Sequence, residues 1–456
     1  MSKNKTLEAL KRSLQDDLQS IQDREKKELN EEQKKELKDV LEKVFEQALL
    51  EKGESKHILD KVIEDKAEFL KIFNPWQNDE GIKLIEKFVD NINNSDSKID
   101  FSWLDILDED IDKRWKKYED EKFKKELKEN KKKYTNMRYQ IPTHFHGDID
   151  NAVIFHCMEN PKGYLGDLSD SEIDNGFTGE NLNEFYFYSA DIREEESGTV
   201  KEIVKERYQL EDVTRDSIEK IIYSTDKSAL GREIEHIYKQ NKKNEYCNFD
   251  FDNEKGMNKT VLLKDYYYLK TYYSQLIQTN QELDFQKLKY KKKEVEEIAK
   301  KICNLEIYPF ACKSPNLGKG RTGNKILLNS DLSRLGAYIV LRRIYRYLNG
   351  LNDNTKPIII FRKYDIAWEE LFNNIFDEVK RELERKNQCF EKEIVLNLLE
   401  KGFFYCQTGS QGGGITDGNV ISVPHYRVFL SMKDDAFKEI SSLLPRIEVD
   451  KKEKNR

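Results

Sequence analysis

AVIFHCMENPKGYLGD, residues Ala152–Asp167, decides how the chain is read. Its first half is an apolar run of strand character. It stops on Glu159-Asn160-Pro161-Lys162-Gly163: a carboxylate, an amide, a fixed turn, a cation and a glycine. Asn, Pro and Gly form turns for steric reasons, so a plain turn is one explanation. The other is a reaction site at the C-terminal end of a parallel strand, where open α/β sheets hold their ligands.

Three later stretches repeat the design: CNLEIYPFACKS (303–314), KPIIIFRKYD (356–365) and KGFFYCQTGSQGGG (401–414). Each is an apolar run ending in polar or glycine-rich residues. Between them lie the helical patterns SDLSRLGAYIVLRRIYRYLNG and AWEELFNNIFDEVKRELER. Strands alternating with helices predict an α/β domain, a parallel sheet of about four strands flanked by helices. Strands are expected near 152–157, 303–308, 357–361 and 402–406, with Asn160, Lys313 and Arg362 at the first three tips and a glycine-rich loop at the fourth.

Residues 1–140 read as a charged, mostly helical N-terminal domain. ELKDVLEKVFEQALLEKG carries helical periodicity to a glycine stop, and NPWQNDEGIKLIEKFVDNI starts a helix after a proline. The α/β domain is expected over 141–440, with an insert at about 165–300 and a charged tail over 441–456. Residues 122–133 hold seven lysines against two glutamates, a solvated helix or a basic strip for phosphates.

The chain's 456 residues are 37% hydrophobic and 36% charged, with net charge −7. That balance argues against coating nucleic acid or membrane with the whole surface, yet it leaves room for a local basic groove. The first residues, MSKNKTLEALKRSL, lack the apolar stretch of a signal peptide, and no run reaches the roughly 18 apolar residues of a membrane span. Six cysteines (157, 247, 303, 312, 389, 406) form no CxxC pair, which fits reduced thiols and a cytoplasmic location. No cofactor and no metal is expected. His144 and His146 alternate in an extended segment, but only Asp148 follows nearby as a third ligand, so a loop edging a pocket is the other interpretation. His156, inside the strand, reads as a hydrogen-bonded core residue.

A strand ending in Asn160-Pro161, then three strands with a glycine- and serine-containing loop after the last, resembles the uracil-DNA glycosylase superfamily. The similarity is greatest to its Asn-type, mismatch-specific branch, whose first motif is Gly-Ile-Asn-Pro-Gly. Here the motif is Met158-Glu159-Asn160-Pro161-Lys162-Gly163, with an inserted lysine. In place of the superfamily's His-Pro-Ser or Asn-Pro-Ser stands Thr408-Gly409-Ser410-Gln411-Gly412-Gly413-Gly414. The chain also resembles bacterial proteins with Asn-Pro-Gly, then Pro-Tyr-x-Ser-Lys, then an Arg-ended strand. The counterparts here are Asn160-Pro161, Pro309-Phe310-Ala311-Cys312-Lys313 and Phe361-Arg362.

The resemblance implies a DNA glycosylase that hydrolyses the N-glycosidic bond of a modified or damaged base, with DNA as partner and anti-phage defence as a role. Asn160 would orient the water, and Glu159 would assist if it faces the same pocket. Pro161, Lys162, Gly163, Phe310, Lys313, Arg321, Arg362, Ser410, Gln411, Gly412 and Gly413 would contact DNA or base. A non-catalytic nucleic-acid or nucleotide-binding protein is the alternative, favoured by the altered motifs. A third possibility is an interaction protein whose helical N-terminus is the working part.

Overall fold

The computed structural model describes residues 28–97, 143–159, 199–208, 210–223, 226–235, 249–250, 261–262, 268–277, 292–309, 330–351, 355–408, 414–427 and 435–445. The N-terminal helices are α1 (Glu31–Glu51), α2 (Leu59–Glu64), α3 (Lys66–Phe73) and α4 (Asp79–Asn93). A capping box starts α1: the Asn30 side chain accepts from Gln33 N, and the Gln33 side chain accepts from Asn30 N. The helix stops at Gly53, whose φ of 77° suits the left-handed cap that a glycine adopts freely.

Next come β1 (Phe145–His146), β2 (Ile154–Met158), α5 (Val200–Tyr208), α6 (Arg215–Tyr223), the short pair β3 (Phe249–Asp250) and β4 (Val261–Leu262), a π-turn over Tyr268–Tyr272 and α7 (Ser274–Ile277). The second half holds α8 (Lys292–Lys300), β5 (Ile302–Glu306), α9 (Asp331–Leu348), β6 (Ile358–Arg362), a second π-turn over Tyr364–Trp368, α10 (Glu369–Arg385), α11 (Lys392–Gly402), β7 (Phe404–Gln407), β8 (Val420–Ser422), α12 (Val423–Arg427) and α13 (Ala436–Ser442).

The main sheet runs β1-β5-β2-β6-β7-β8. The four expected strands are its centre, and β5, β2, β6 and β7 are parallel. Each begins and ends within about two residues of its expected place. The expectation of about four strands is extended by two short antiparallel edges, β1 on β5 and β8 on β7. Two or three residues carry too little periodicity to be recognised in sequence.

Alternation sorts the strand residues onto two cores. Phe155, Cys157, Cys303, Leu305, Ile359, Phe361, Phe404 and Cys406 join one cluster with α9, α10, α11 and the N-terminal helices α1–α4. Ile154, Met158, Ile302, Ile358, Ile360 and Tyr405 join the other, beneath α8, α13 and Tyr268, Tyr272 and Tyr273. Both faces of the sheet are thus covered, as purely parallel strands require.

Helix α9 lies between layers and is buried nearly all round, arginines included. Arg342 Nε donates to Val62 O at 3.0 Å, and Arg346 donates to Ile63 O and Glu64 O at 2.6 and 2.9 Å. These are carbonyls that the end of α2 leaves without helical partners. Arg342 also pairs with Asp150, and Arg343 donates to Ala152 O and Thr355 O beside the starts of β2 and β6. Arg334 grips both Glu378 oxygens on α10. One helix therefore ties the N-terminal helices to the base of the sheet through buried, hydrogen-bonded cations.

Candidate functional site

Strand order locates the crevice. From β2 the chain moves to β5 on one side, and from β6 to β7 on the other. Connections leave adjacent β2 and β6 in opposite directions, which opens a gap outside their carboxyl ends. At that gap the described chain places Glu159, Arg362 and Lys363.

Glu159 follows β2 directly. Its backbone carbonyl accepts from Tyr308 N at 2.9 Å, which extends the ladder past the strand end. Its side chain is 8% exposed, and Lys363 Nζ lies 2.8 Å from Oε1. The approach is outside hydrogen-bonding geometry, so the contact is one of charge, and Oε1 has no hydrogen-bond donor among the described residues. Lys363 sits at φ 47°, ψ 52°, left-handed backbone that a lysine adopts at a cost of roughly 1–2 kcal/mol. It hinges β6 into the π-turn over Tyr364–Trp368. A strained cation and an unusual helical turn at a strand tip are features that cluster at functional sites. The turn is anchored below: Tyr364 Oη donates to Glu400 Oε1 at 2.7 Å, and Arg427 bridges Glu400 and Glu369.

On the second face the registers align two rows across all six strands. One row reads His146, Asn304, His156, Ile360, Tyr405, Ser422. The next, nearer the tips, reads His144, Glu306, Met158, Arg362, Gln407, Val420.

A directed chain of hydrogen bonds satisfies much of the first row. Asn304 Oδ1 accepts from Ala229 N at 3.1 Å, and Asn304 Nδ2 donates to Tyr273 Oη. Tyr273 Oη donates to His156 Nδ1 at 3.0 Å, and His156 Nε2 donates to Gln407 Oε1 at 3.2 Å. Gln407 Nε2 passes on to Gly414 O at 2.9 Å, the far side of the glycine-rich loop. That amide orientation assigns the imidazole proton to Nε2. Burial, with the Arg362 charge adding to it, pulls His156 down to about 3, so the ring is neutral. His156 is thus the satisfied core histidine its position in the strand predicts, and both nitrogens are occupied.

Arg362 donates to Tyr272 Oη and lies 5.6 Å from the centre of that ring. Tyr268, Tyr272 and Tyr273 pack over the second face. Asn419 Oδ1 accepts from Thr416 N at 2.9 Å and so caps the turn.

His144 and His146 are buried with edge strand β1. His146 Nε2 is 3.0 Å from Thr143 Oγ1. Among the described residues no group of three or more His, Cys, Asp or Glu is placed to hold a metal ion. No described helix is long and apolar enough to cross a membrane.

Of the residues expected at the site, Glu159 and Arg362 come together at the crevice. Asn160, Pro161, Lys162, Gly163, Phe310, Lys313, Arg321, Ser410, Gln411, Gly412 and Gly413 lie outside the described residues. Sequence reasoning missed Lys363 and Glu306. A lone acid inside CNLEIYPF was the available signal for Glu306; nothing in FRKYD marks Lys363 as left-handed. Compared with protein-family models, curated proteins and solved structures, the chain matches none.

Proposed function

We propose that the protein is a DNA glycosylase that hydrolyses the N-glycosidic bond of a modified or damaged base, acting at the crevice between the tips of β2 and β6. One observation carries the proposal: a buried carboxylate, Glu159, held by the strained cation Lys363 at the topological switch point, immediately before Asn160 in sequence.

Breaking the bond between sugar and base sends the electron pair to the base and leaves positive charge on the sugar. A carboxylate at that position stabilises the positive sugar and accepts a proton from the attacking water. The Asn160 amide orients that water. Arg362 and Lys363 supply positive charge for phosphate oxygens or for the departing base. The products are the free base and an abasic site. In duplex DNA the base is first flipped from the stack. Modified phage DNA is a substrate on which this chemistry serves defence.

The test is incubation of the purified protein with unmodified and modified phage DNAs, followed by alkaline cleavage at abasic sites. Glu159→Gln and Asn160→Ala are each expected to lower the yield, by on the order of 10²–10⁴ in rate for a lost proton-transfer or water-positioning group. DNA binding with no abasic sites on any DNA, or full base release by both variants, overturns the proposal. The first outcome leaves a non-catalytic nucleic-acid-binding protein.

A further inference from the structure

A cavity of about 420 Å³ opens between the first two turns of α1 and the last turn of α9. That volume falls within the roughly 300–1,000 Å³ of small-ligand sites. It lies away from the crevice. Helix α9 links the parallel strands β5 and β6, so it runs back against them. Near its start, a Cβ on Gly336 would lie 3.6 Å from Glu306 O, at the carboxyl end of β5. At its end, Tyr347 packs on Phe403, just before β7. The cavity is therefore at the amino ends of the strands, and Glu159 and Lys363 are at the carboxyl ends.

The wall from α1 is cationic. Glu31, Lys34, Lys35 and Lys38 recur at helical spacing on one face, while Leu37, Leu41, Val44 and Phe45 turn the other into the core. Lys34 Nζ lies 2.8 Å from Glu31 Oε1. Neither Lys35 nor Lys38 has a carboxylate partner among the described residues. Lys38 follows Lys35 and Lys34 at the i+3 and i+4 spacings where like charges repel. Two uncompensated positive charges thus line the cavity. The floor from α9 is of another kind: half-buried Tyr347 and Leu348. Phe403 packs edge-on against the Tyr347 ring, with centres 5.9 Å apart, and holds it in place. Carbonyls at the end of α9 that would repel an anion are occupied. Asn349 donates to Tyr345 O through N and Nδ2 at 3.0 and 2.8 Å, Gly350 N to Tyr347 O at 3.0 Å, and Leu351 N to Arg346 O at 2.9 Å.

We propose that this cavity binds a free nucleoside monophosphate, with the phosphate at Lys35 and Lys38 and the base on Tyr347. A phosphate monoester carries about −1.5 to −2 charge at pH 7, which matches the two unpaired lysines. Lysine meets phosphate as a point charge on a flexible stem, so no fixed fork is required. Tyr347 and Leu348 cover the flat face of a base, and stacking of this kind accepts any base because each has a π-face. An inorganic anion leaves the apolar floor bare, and a nucleoside leaves the lysines uncompensated. A nucleotide satisfies both walls at once. The site stands independently of the crevice and of the reaction proposed there.

The experiment is calorimetric titration of the full-length protein with three probes: AMP, adenosine and inorganic phosphate. Wild-type protein is expected to bind AMP roughly tenfold or more tightly than either of the other two. Lys35→Gln combined with Lys38→Gln is expected to bring AMP to the level of adenosine. Tyr347→Leu is expected to bring it toward the level of inorganic phosphate. Urea midpoints confirm the fold of each variant. No AMP binding by wild type, inorganic phosphate bound as tightly as AMP, or an AMP affinity unchanged in either variant overturns the site. DNA affinity is measured on the same preparations and is expected to be the same in the lysine double variant as in wild type. A loss of DNA binding together with AMP binding would assign the lysines to a nucleic-acid surface and overturn the free-nucleotide site.

Discussion

Lys363 offers a measurement in which two effects of known sign are separated by one atom. Its left-handed backbone penalises any residue with a Cβ, whereas glycine adopts that region freely. Its ammonium faces Glu159 at 2.8 Å, with side-chain exposures of 32% for Lys363 and 8% for Glu159. Exposed pairs contribute about 0.2–1 kcal/mol, and breaking a fully buried pair costs about 3–5 kcal/mol. A pair with one partner a third exposed falls between, at about 1–2 kcal/mol. Lys363→Ala loses the pair and keeps the strain, so it is expected to cost about 1–2 kcal/mol. Lys363→Gly loses the same pair but relieves about 1 kcal/mol of strain, leaving a net cost of about 0–1 kcal/mol. Glycine should therefore be the more stable of the two by about 1 kcal/mol, an inversion of the usual order. Urea denaturation at pH 7 reads it, with unchanged slope as the check that only stability moved. Glu159→Gln added to Lys363→Ala closes a cycle whose coupling is expected at about 1–2 kcal/mol. A glycine variant no more stable than the alanine variant refutes the strain, and additive costs refute the pairing.

Three further outcomes follow from the same structure. Arg342→Met strips the cation from Asp150 and the donor from Val62 O, and is expected to cost about 3–5 kcal/mol by denaturant midpoint, with Asp150→Asn in the same chain restoring part of the loss. Gly147→Ala places a Cβ 2.5 Å from Ile302 O at φ 124°, and is expected to cost about 2–3 kcal/mol in the same assay. Acid lowers stability through the histidines. Burial pulls His144 and His156 to about 3 and His146 well below its ordinary value, so their contribution is full above pH 6.5 and is lost as pH falls from there. Glu306 works oppositely, its raised pKa making its contribution fade as pH rises through that value. Three histidines against one carboxyl leave a net loss of stability as pH falls from 6.5 to 5.5. A urea midpoint that does not fall over that interval, or a His144→Gln variant with the same slope as wild type, contradicts it.

Sequence by itself determined the sheet's parallel centre. Runs such as IIIF and AVIF have apolar residues at every position, because a strand covered on both faces alternates nothing. It likewise determined the start of a helix after Asn74-Pro75, the stop at Gly53, and Glu159 and Arg362 as residues at strand tips. Those signals are local: period, caps and turn chemistry act over a few residues. Tertiary structure alone decided the rest. The strand order β5-β2-β6-β7, which sets β2 and β6 side by side and makes their tips a crevice, depends on which strands pair across more than a hundred residues. The arginines of LRRIYR look solvated in a helix of mixed pattern, yet the layer of N-terminal helices buries them and hands them its open carbonyls. Lys363 became left-handed because β6 must turn there into a helical turn anchored by Glu400 and Arg427, a demand that no property of lysine announces. Glu306 and His144 met because an edge strand of two residues pairs antiparallel with β5, and partners brought together by pairing leave no mark in the order of the chain.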